Sequence, residues 1–354
     1  MNEAFLNRLL DAHGPSTFEK RAARVWREEA GSFADEIRID RIGNSHAGMN
    51  TEARPRVMLA GHIDEIGLQT THIDDQGFLY VDGIGGWDPQ VLVGQRVRIL
   101  AKGGDVPGVV GKKAIHLMKD DEASKASKME QLWVDVGARS LDEAKDLGLR
   151  VGDPMVVDVG LVRLAGDRIA SRAIDNRIGA FVVLEALRLL KQEPAEHAGA
   201  WAVATAQEEI GYQGGGARSS AYDLEPDVAL VVDVTFSTDV PDIEKKEHGD
   251  HELGGGPVLS RGSAAHPEVF ERLVEVAEAE GIDHTIQASP RMTRTDADGI
   301  QLVRSGIPTG LVSVPNRYMH SPNEVVSLAD VDATARLLAA FVRSLEPDTD
   351  FTPR

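Results

Sequence analysis

The chain has 354 residues, of which 42% are hydrophobic and 27% are charged, and this balance is typical of a soluble globular protein. Its formal net charge of −19 argues against binding to nucleic acid or to an anionic membrane by bulk electrostatic attraction. The absence of cysteine excludes disulfides and thiolate metal sites, so any metal ion must be held by His, Asp and Glu.

Length and hydropathy also bound the organisation of the chain. It is too long for a single ordinary core, so two domains are expected. No apolar stretch is long enough for a transmembrane helix. The N-terminal sequence Met1-Asn-Glu-Ala-Phe-Leu-Asn-Arg8 lacks the basic region and apolar core of a signal peptide, which predicts residence in the cytoplasm.

The N-terminal segment predicts two helices followed by two strands. Helical spacing of apolar residues runs from residue 3 to residue 31. The break Gly14-Pro15-Ser16-Thr17 divides this segment, and Ser16 or Thr17 can cap the second helix. Residues 37–42 and 56–60 then have the pattern of strands, and the second leads into Gly61-His62-Ile63-Asp64.

The middle of the chain differs in pattern from its two ends. From about residue 67, short alternating strands are separated by glycines, at 77–81, 95–100 and 155–159, which is typical of a small β-barrel or sandwich. From about residue 167, strands at 228–232 and 309–314 alternate with amphipathic helices at 177–191, 267–280 and 328–345. The sequence therefore predicts an α/β domain formed by residues 1–66 and 167–354, with a β domain inserted at 67–166.

Two adjacent glutamates, Glu208 and Glu209, follow the apolar run of residues 201–206, which has the pattern of a buried strand. Carboxylates at the end of a buried strand repel each other and resist desolvation unless a cation compensates their charge. The ends of strands are also where α/β proteins build active sites. An isolated pair of this kind is more often a solvated turn with two surface acids, so the interpretation depends on what accompanies it.

Four further segments carry candidate residues near predicted strand ends or helix starts. His62 and Asp64 are two residues apart, so in an extended chain they share one face, and Asp64 can accept the second ring N–H of a ligating His62. Asp175 precedes the helix 177–191 and is either its N-cap or a ligand; Asn176 could cap instead and leave Asp175 free.

Asp233 and His320 have two interpretations each. Asp233 ends the predicted strand 228–232, where an acid is either a turn or helix cap or a metal ligand. His320 follows the predicted strand 309–314, where a lone histidine is more often a hydrogen-bonded loop residue than a ligand.

These residues together favour a site for two metal ions. Two metals about 3.5–4 Å apart need a bridging carboxylate, terminal ligands on each side and a base nearby. Two histidines and three acids without sulfur suit a borderline-hard cation, and one glutamate of the adjacent pair is then spare to take a proton from water. The five candidate ligands are His62, Asp175, Glu209, Asp233 and His320.

The order of the motifs resembles that of the tetrahedral (TET) aminopeptidases, a family of co-catalytic metallo-aminopeptidases that includes glutamyl and deblocking aminopeptidases and proteins named endoglucanases. The resemblance covers nearly the whole chain, and its specificity lies in the ordered co-occurrence of modest motifs. They are Gly61-His-Ile-Asp-Glu-Ile-Gly67, Lys113-Ala-Ile-His-Leu-Met118, Val134-Asp-Val-Gly137, Ala173-Ile-Asp-Asn-Arg177, Ala206-Gln-Glu-Glu-Ile-Gly211, Val232-Asp233 and Pro315-Asn-Arg-Tyr-Met-His-Ser-Pro322.

The resemblance implies a role for each candidate residue. His62, Asp175 and Asp233 would bind one metal ion, and Asp175, Glu209 and His320 the other, with Asp175 bridging. Glu208 would be the general base that takes a proton from metal-bound water, which gives the metal-bridging hydroxide for hydrolysis of the N-terminal residue of short peptides. Asp64 would orient His62. The two ions would be zinc, with cobalt or manganese as alternatives.

The resemblance also implies a fold and an assembly. The fold would be a phosphorylase/peptidase-like α/β catalytic domain with an inserted PDZ-like β-barrel domain. Family members form dimers and commonly tetrahedral dodecamers, so self-association is expected.

Two segments depart from the family pattern, and both leave the preferred N-terminal residue open. Thr293-Arg294 replaces small residues before Thr295-Asp296-Ala297, near the substrate pocket of the family, and many relatives place an aspartate near the segment 260–266.

Two other functions compete with peptide hydrolysis. The first alternative is a glycoside hydrolase of the endoglucanase type, whose two carboxylates must flank the bond by about 5 Å or more. The second is a non-catalytic assembly protein that retains the fold.

Overall fold

The computed structural model describes residues 1–119, 124–211 and 215–353, and these form a mixed α/β protein with a closed antiparallel barrel, as the sequence predicts. The described helices are Glu3–Asp11, Lys20–Ala30, Pro89–Leu92, Leu141–Asp146, Ile174–Gln192, Ala217–Leu224, Lys245–His248, Pro267–Ala279, Asp296–Ile300 and Leu328–Arg343. Within the described residues, no helix combines the length and the apolar composition that crossing a membrane requires.

The strands are numbered in chain order. They are β1 (Glu36–Ile39), β2 (Ser45–Met49), β3 (Arg56–His62), β4 (Gly67–Ile73), β5 (Leu79–Ile84), β6 (Arg96–Ala101), β7 (Gly104–Gly111), β8 (Trp133–Asp135), β9 (Pro154–Val157), β10 (Val162–Arg163), β11 (Arg168–Ser171), β12 (Gly199–Thr205), β13 (Val228–Phe236), β14 (Val258–Gly262), β15 (Thr285–Ser289), β16 (Thr309–Asn316) and β17 (Glu324–Ser327).

The main sheet has eight strands in the order β1-β2-β12-β3-β13-β16-β14-β15. Its four central strands, β12, β3, β13 and β16, are parallel to one another, so their carboxyl ends meet at one edge. Alternate residues of β3 point to opposite faces: Val57 and Leu59 belong to one apolar core, and Met58 and Ala60 to another. The sheet is therefore buried on both faces, and its edge is the place where polar side chains can converge.

The barrel lies between the first three strands of the main sheet and the rest of that sheet along the chain. Its strands close in the order β4-β5-β8-β7-β6-β9 and enclose a separate apolar core that includes Leu68, Val97, Ile99 and Val134. The strands β10, β11 and β17 form a third, small antiparallel sheet. This arrangement agrees with an inserted β domain, although the division of the chain at residues 67 and 166 stays a prediction.

Several elements differ from those that the sequence predicts. Strand β2 was not predicted because its sequence Ser45-His-Ala-Gly-Met49 contains no β-branched residue, yet all five of its residues are buried. Strand β7 was not predicted either, because Pro107 and several glycines weaken its strand pattern. The prediction that Asp233 ends a strand was wrong: β13 continues to Phe236, and Asp233 lies opposite Ser313 inside the sheet.

A buried ionic cluster joins the N-terminal helices to the sheet. Arg177, which is fully buried, donates to the carboxylate of Glu65 at 2.7 Å and to the backbone carbonyls of Leu9 and Ile63 at 3.1 and 3.2 Å. Arg172 forms the second ion pair of Glu65. Burial lowers the pKa of Arg177 to about 10, with Glu65 opposing that shift, so the guanidinium remains charged near neutral pH.

We expect the Arg177→Ala substitution to lower the free energy of unfolding by about 3–5 kcal/mol, because it leaves a buried carboxylate and several carbonyls without their partner. The matched control is Arg24→Ala, which removes an exposed pair with Glu28 at 3.7 Å and should cost about 0–1 kcal/mol. Chemical denaturation of the two variants measures both quantities. Equal losses in the two variants would contradict the role of Arg177.

Candidate metal centre

Polar side chains converge at the carboxyl edge of the four parallel strands. His62 is the last residue of β3, and Glu208 and Glu209 follow the end of β12, the neighbouring strand. Asp233 lies in β13, on the other side of β3, and His320 follows β16. The topology of the sheet therefore brings together residues that are far apart in the chain.

Asp175 reaches the same place from the start of the helix Ile174–Gln192. Asp175 and Asn176 have non-helical φ and ψ angles, and Asn176 caps the regular helix that follows them, because its Oδ1 accepts the N–H of Gly179 at 2.9 Å. Its Nδ2 donates to the carbonyl of Val232 at 2.8 Å. The prediction that Asn176 could serve as the cap is confirmed, and the carboxylate of Asp175 is left to face the strand ends. A side chain at position 179 would come within 2.4 Å of Asn176, so this approach requires glycine.

Two groups of candidate ligands share Asp175. In each group, one ligand atom from every residue lies within 4.8 Å of the others; the groups are His62, Asp175 and Asp233, and Asp175, Glu209 and His320. The Oδ1 of Asp175 lies 3.2 Å from Nε2 of His62, and its Oδ2 lies 3.4 Å from Nε2 of His320. Its two oxygens therefore face two different groups.

Glu208 stands outside both groups but faces the same space. Its Oε2 lies 3.7 Å from Nε2 of His62, whereas Oε2 of Glu209 lies 3.4 Å from Nε2 of His320. The two adjacent glutamates consequently point toward different histidines.

Asp64 holds the backbone of the two glutamates from which these side chains diverge. Its buried carboxylate accepts the backbone N–H of Glu208 at 3.2 Å through Oδ1 and that of Glu209 at 3.1 Å through Oδ2. Its Oδ1 also lies 3.4 Å from Nδ1 of His62. Ser16 donates its hydroxyl to Asp64 at 2.6 Å, so the prediction that Ser16 or Thr17 caps the second helix was wrong: the capping position is Glu19, without a side-chain cap bond.

Three other side chains hold the backbone of the site, and the sequence did not mark them. Asn44 accepts the N–H of Ala206 at 2.8 Å, and Glu19 accepts the N–H of Gln207 at 3.2 Å. Glu324 accepts the backbone N–H groups of Asp175 and His320. These side chains take part in the site only by accepting N–H groups of distant residues, and a sequence pattern does not reveal such contacts.

The electrostatics of the site are those of crowded, buried acids. Burial raises the pKa of Glu208 well above its usual range, and repulsion from Asp233 adds to this. Burial and the charge of Asp175 likewise raise the pKa values of Glu209 and Asp233. Burial alone would lower the pKa of His320, but Asp175 and Glu209 raise it to about 11. Such a negative field favours a bound cation.

The donor atoms themselves fit a divalent metal ion. The Oε1 of Glu209 is buried without a hydrogen-bond partner among the described residues, and His62 turns its Nε2 toward Asp175 while its Nδ1 faces Asp64. Imidazole nitrogens and carboxylate oxygens without sulfur are the donor set of zinc, cobalt and manganese sites. The residues therefore fit one cation in each group.

A cleft of about 1240 Å³ opens over these groups. Its far wall includes Gln287, Arg291 and Arg294. The carboxylate of Asp298 accepts the backbone N–H of Thr293 at 3.2 Å and of Arg294 at 2.7 Å, which fixes one of the two segments that depart from the family pattern.

Known proteins resemble this chain over nearly its whole length. The family described as M42 glutamyl aminopeptidase matches residues 43–337. A lysyl aminopeptidase of Pyrococcus furiosus is 38% identical over 90% of each chain. A solved TET aminopeptidase from a marine sediment archaeon of the Thaumarchaeota has a TM-score of 0.92 at 34% identity, with 97% of this chain and 96% of that chain covered.

A third similarity concerns an assembly. The TET1 peptidase of Pyrococcus horikoshii, which can assemble into a tetrahedron or a large octahedral shell, has a TM-score of 0.85 at 28% identity, with 97% of this chain and 99% of that chain covered. The family match covers the segments whose residues meet at the strand ends. The chain belongs to the M42 glutamyl aminopeptidase family.

Proposed function

We propose that this member of an aminopeptidase family binds two divalent metal ions and removes the N-terminal residue of short peptides. The single observation that carries the proposal is the position of Asp175, whose two oxygens face two separate groups of candidate ligands. A carboxylate shared in this way is what a pair of neighbouring metal ions requires.

The ligands would divide as the two groups do. His62 and Asp233 would hold one ion and Glu209 and His320 the other, with Asp175 bridging. Zinc fits this donor set best, and cobalt or manganese would also be accepted. When bound, the ions would polarise the scissile carbonyl and increase the acidity of water.

Glu208 would act as the general base. It stands outside both ligand groups, its carboxylate faces His62 at 3.7 Å, and burial raises its pKa, which suits a group that must both accept and release a proton. Its carboxylate would take one proton from the attacking water and deliver a proton to the leaving amine nitrogen. Asp64 would assist by orienting His62 and by holding the backbone of Glu208.

The free α-amino group of a peptide would lie against the acidic end of the cleft. A positive N-terminus would be attracted by a carboxylate that lines the cleft without being a metal ligand, such as that of Glu208, and this attraction would favour cleavage at the chain end over cleavage within a chain. The cleft volume of about 1240 Å³ is sufficient for a short peptide. The names of the family and of the relative in Pyrococcus furiosus differ between glutamyl and lysyl, so the preferred residue is to be measured.

We also propose that the chain assembles into dimers and a tetrahedral dodecamer, as its relative in Pyrococcus horikoshii forms a tetrahedron. Residues 67–166, the predicted inserted domain, would contribute contacts between copies. Residence in the cytoplasm stays a prediction from the sequence.

The role of Glu208 predicts a separation of metal binding from turnover. We expect Glu208→Gln to keep two metal ions per chain and to lower kcat by about 10²–10⁴-fold, because the amide cannot accept the proton. The matched variant Glu209→Gln changes the neighbouring residue and should lose metal as well as activity. Metal content by mass spectrometry and hydrolysis of aminoacyl-anilides provide the two readouts. Near-normal turnover by Glu208→Gln would contradict its assignment as the base.

Removal of metal distinguishes the proposal from the two alternative functions. We expect a chelator to abolish hydrolysis of aminoacyl-anilides, and zinc, cobalt or manganese to restore it, because the metal ions polarise the carbonyl. Release of reducing sugar from a soluble cellulose derivative that persists after chelation would favour the glycoside hydrolase. Protein that binds metal and hydrolyses neither substrate would favour the assembly protein.

A further inference from the structure

Glu324 is a buried carboxylate that contacts the backbone of two candidate metal ligands. Its side chain is 2% exposed. Its Oε2 accepts the N–H of Asp175 at 3.0 Å, and its Oε1 accepts the N–H of His320 at 2.9 Å. A single carboxylate thus joins the segment of His320 to that of Asp175, which lies 149 residues before Glu324 in the chain.

The segment that carries His320 is tightly closed next to Glu324. Reciprocal backbone hydrogen bonds of 2.9 and 3.0 Å join Arg317 and Val325 and close the loop between them. Within this loop His320 has a φ of 59°, a left-handed conformation that costs a residue with a side chain about 1–2 kcal/mol. The hydrogen bond from the N–H of His320 to Glu324 helps to hold the backbone in this conformation.

The segment that carries Asp175 is held by the same carboxylate through the pairing of two strands. Strand β17 begins at Glu324, and in its pairing with β11 Glu324 lies opposite Ser171. The chain then continues from β11 to Asp175, whose N–H turns back to the carboxylate of Glu324. Two of the three candidate ligands of one predicted metal ion, Asp175 and His320, are consequently held by the same carboxylate.

We propose that Glu324 is a positioning residue, which fixes Asp175 and His320 at the separation that metal binding requires. This inference rests on the metal sites of the proposed function. Glutamine cannot replace the carboxylate, because it has one acceptor oxygen, and its NH₂ group would face a backbone N–H donor. The loss of one bond would free either Asp175 or His320 from its position.

The test is a titration of metal-stripped protein with Co²⁺, followed by calorimetry and by the visible absorption of the bound ion. We expect Glu324→Gln to weaken at least one of the two binding steps by about 10–100-fold and to change the absorption spectrum. The matched control is Asp330→Asn. Asp330 is 1% exposed and accepts the N–H groups of Gly254 and Gly256 at 2.7 and 2.8 Å, away from the ligands. This variant should keep both binding steps within twofold of the wild type.

Three results would overturn the inference. The first is a Glu324→Gln protein with the Co²⁺ affinities and spectrum of the wild type. The second is equal weakening in Asp330→Asn, which would indicate a general loss of stability. If Glu324→Gln does not fold, Glu324→Asp is titrated instead, since it keeps both oxygens but is too short to reach both N–H groups. The third result is failure of both Glu324 variants to fold, which would assign Glu324 to the fold alone. Wild-type protein that binds no Co²⁺ would contradict the proposed metal sites as well.

Discussion

The carboxylate of Asp64 lies between the imidazole of His62 and the backbone N–H groups of two adjacent glutamates. Side chains of neighbouring residues after a strand diverge, and these two bonds fix the direction in which each one leaves the backbone. Glu208 faces His62 and Glu209 faces His320 as a result. One buried carboxylate therefore gives two chemically identical residues two different surroundings, and the proposed division into base and ligand depends on it.

The site concentrates negative charge that the fold alone does not compensate. Burial raises the pKa values of Glu208, Glu209 and Asp233, which means that keeping these groups ionised costs free energy in the absence of a cation. Backbone N–H groups and the buried ion pair of Arg177 with Glu65, the residue after Asp64, support the arrangement. Metal binding would offset the remaining repulsion and would therefore stabilise the folded chain.

The sequence predicted the α/β class, the barrel and the residues that meet at the strand ends, because each signal is local: an apolar run, a strand end, a two-residue spacing. It did not predict β2, whose small and polar residues form a strand through pairing with β1 and β12. It placed Asp233 at a strand end, whereas β13 continues through it. It also missed Glu324, since its partners are the N–H groups of distant residues and leave no trace in a side-chain pattern.

Asp175 is proposed to join two metal sites, with only one of the adjacent glutamates as a ligand. The most direct measurement is an anomalous difference map from crystals of the zinc-loaded protein, collected at the zinc absorption edge. We expect two peaks about 3.5–4 Å apart on either side of Asp175, with Glu209 in contact with one peak and Glu208 with neither. A single peak, or a peak bound by Glu208, would contradict this proposal.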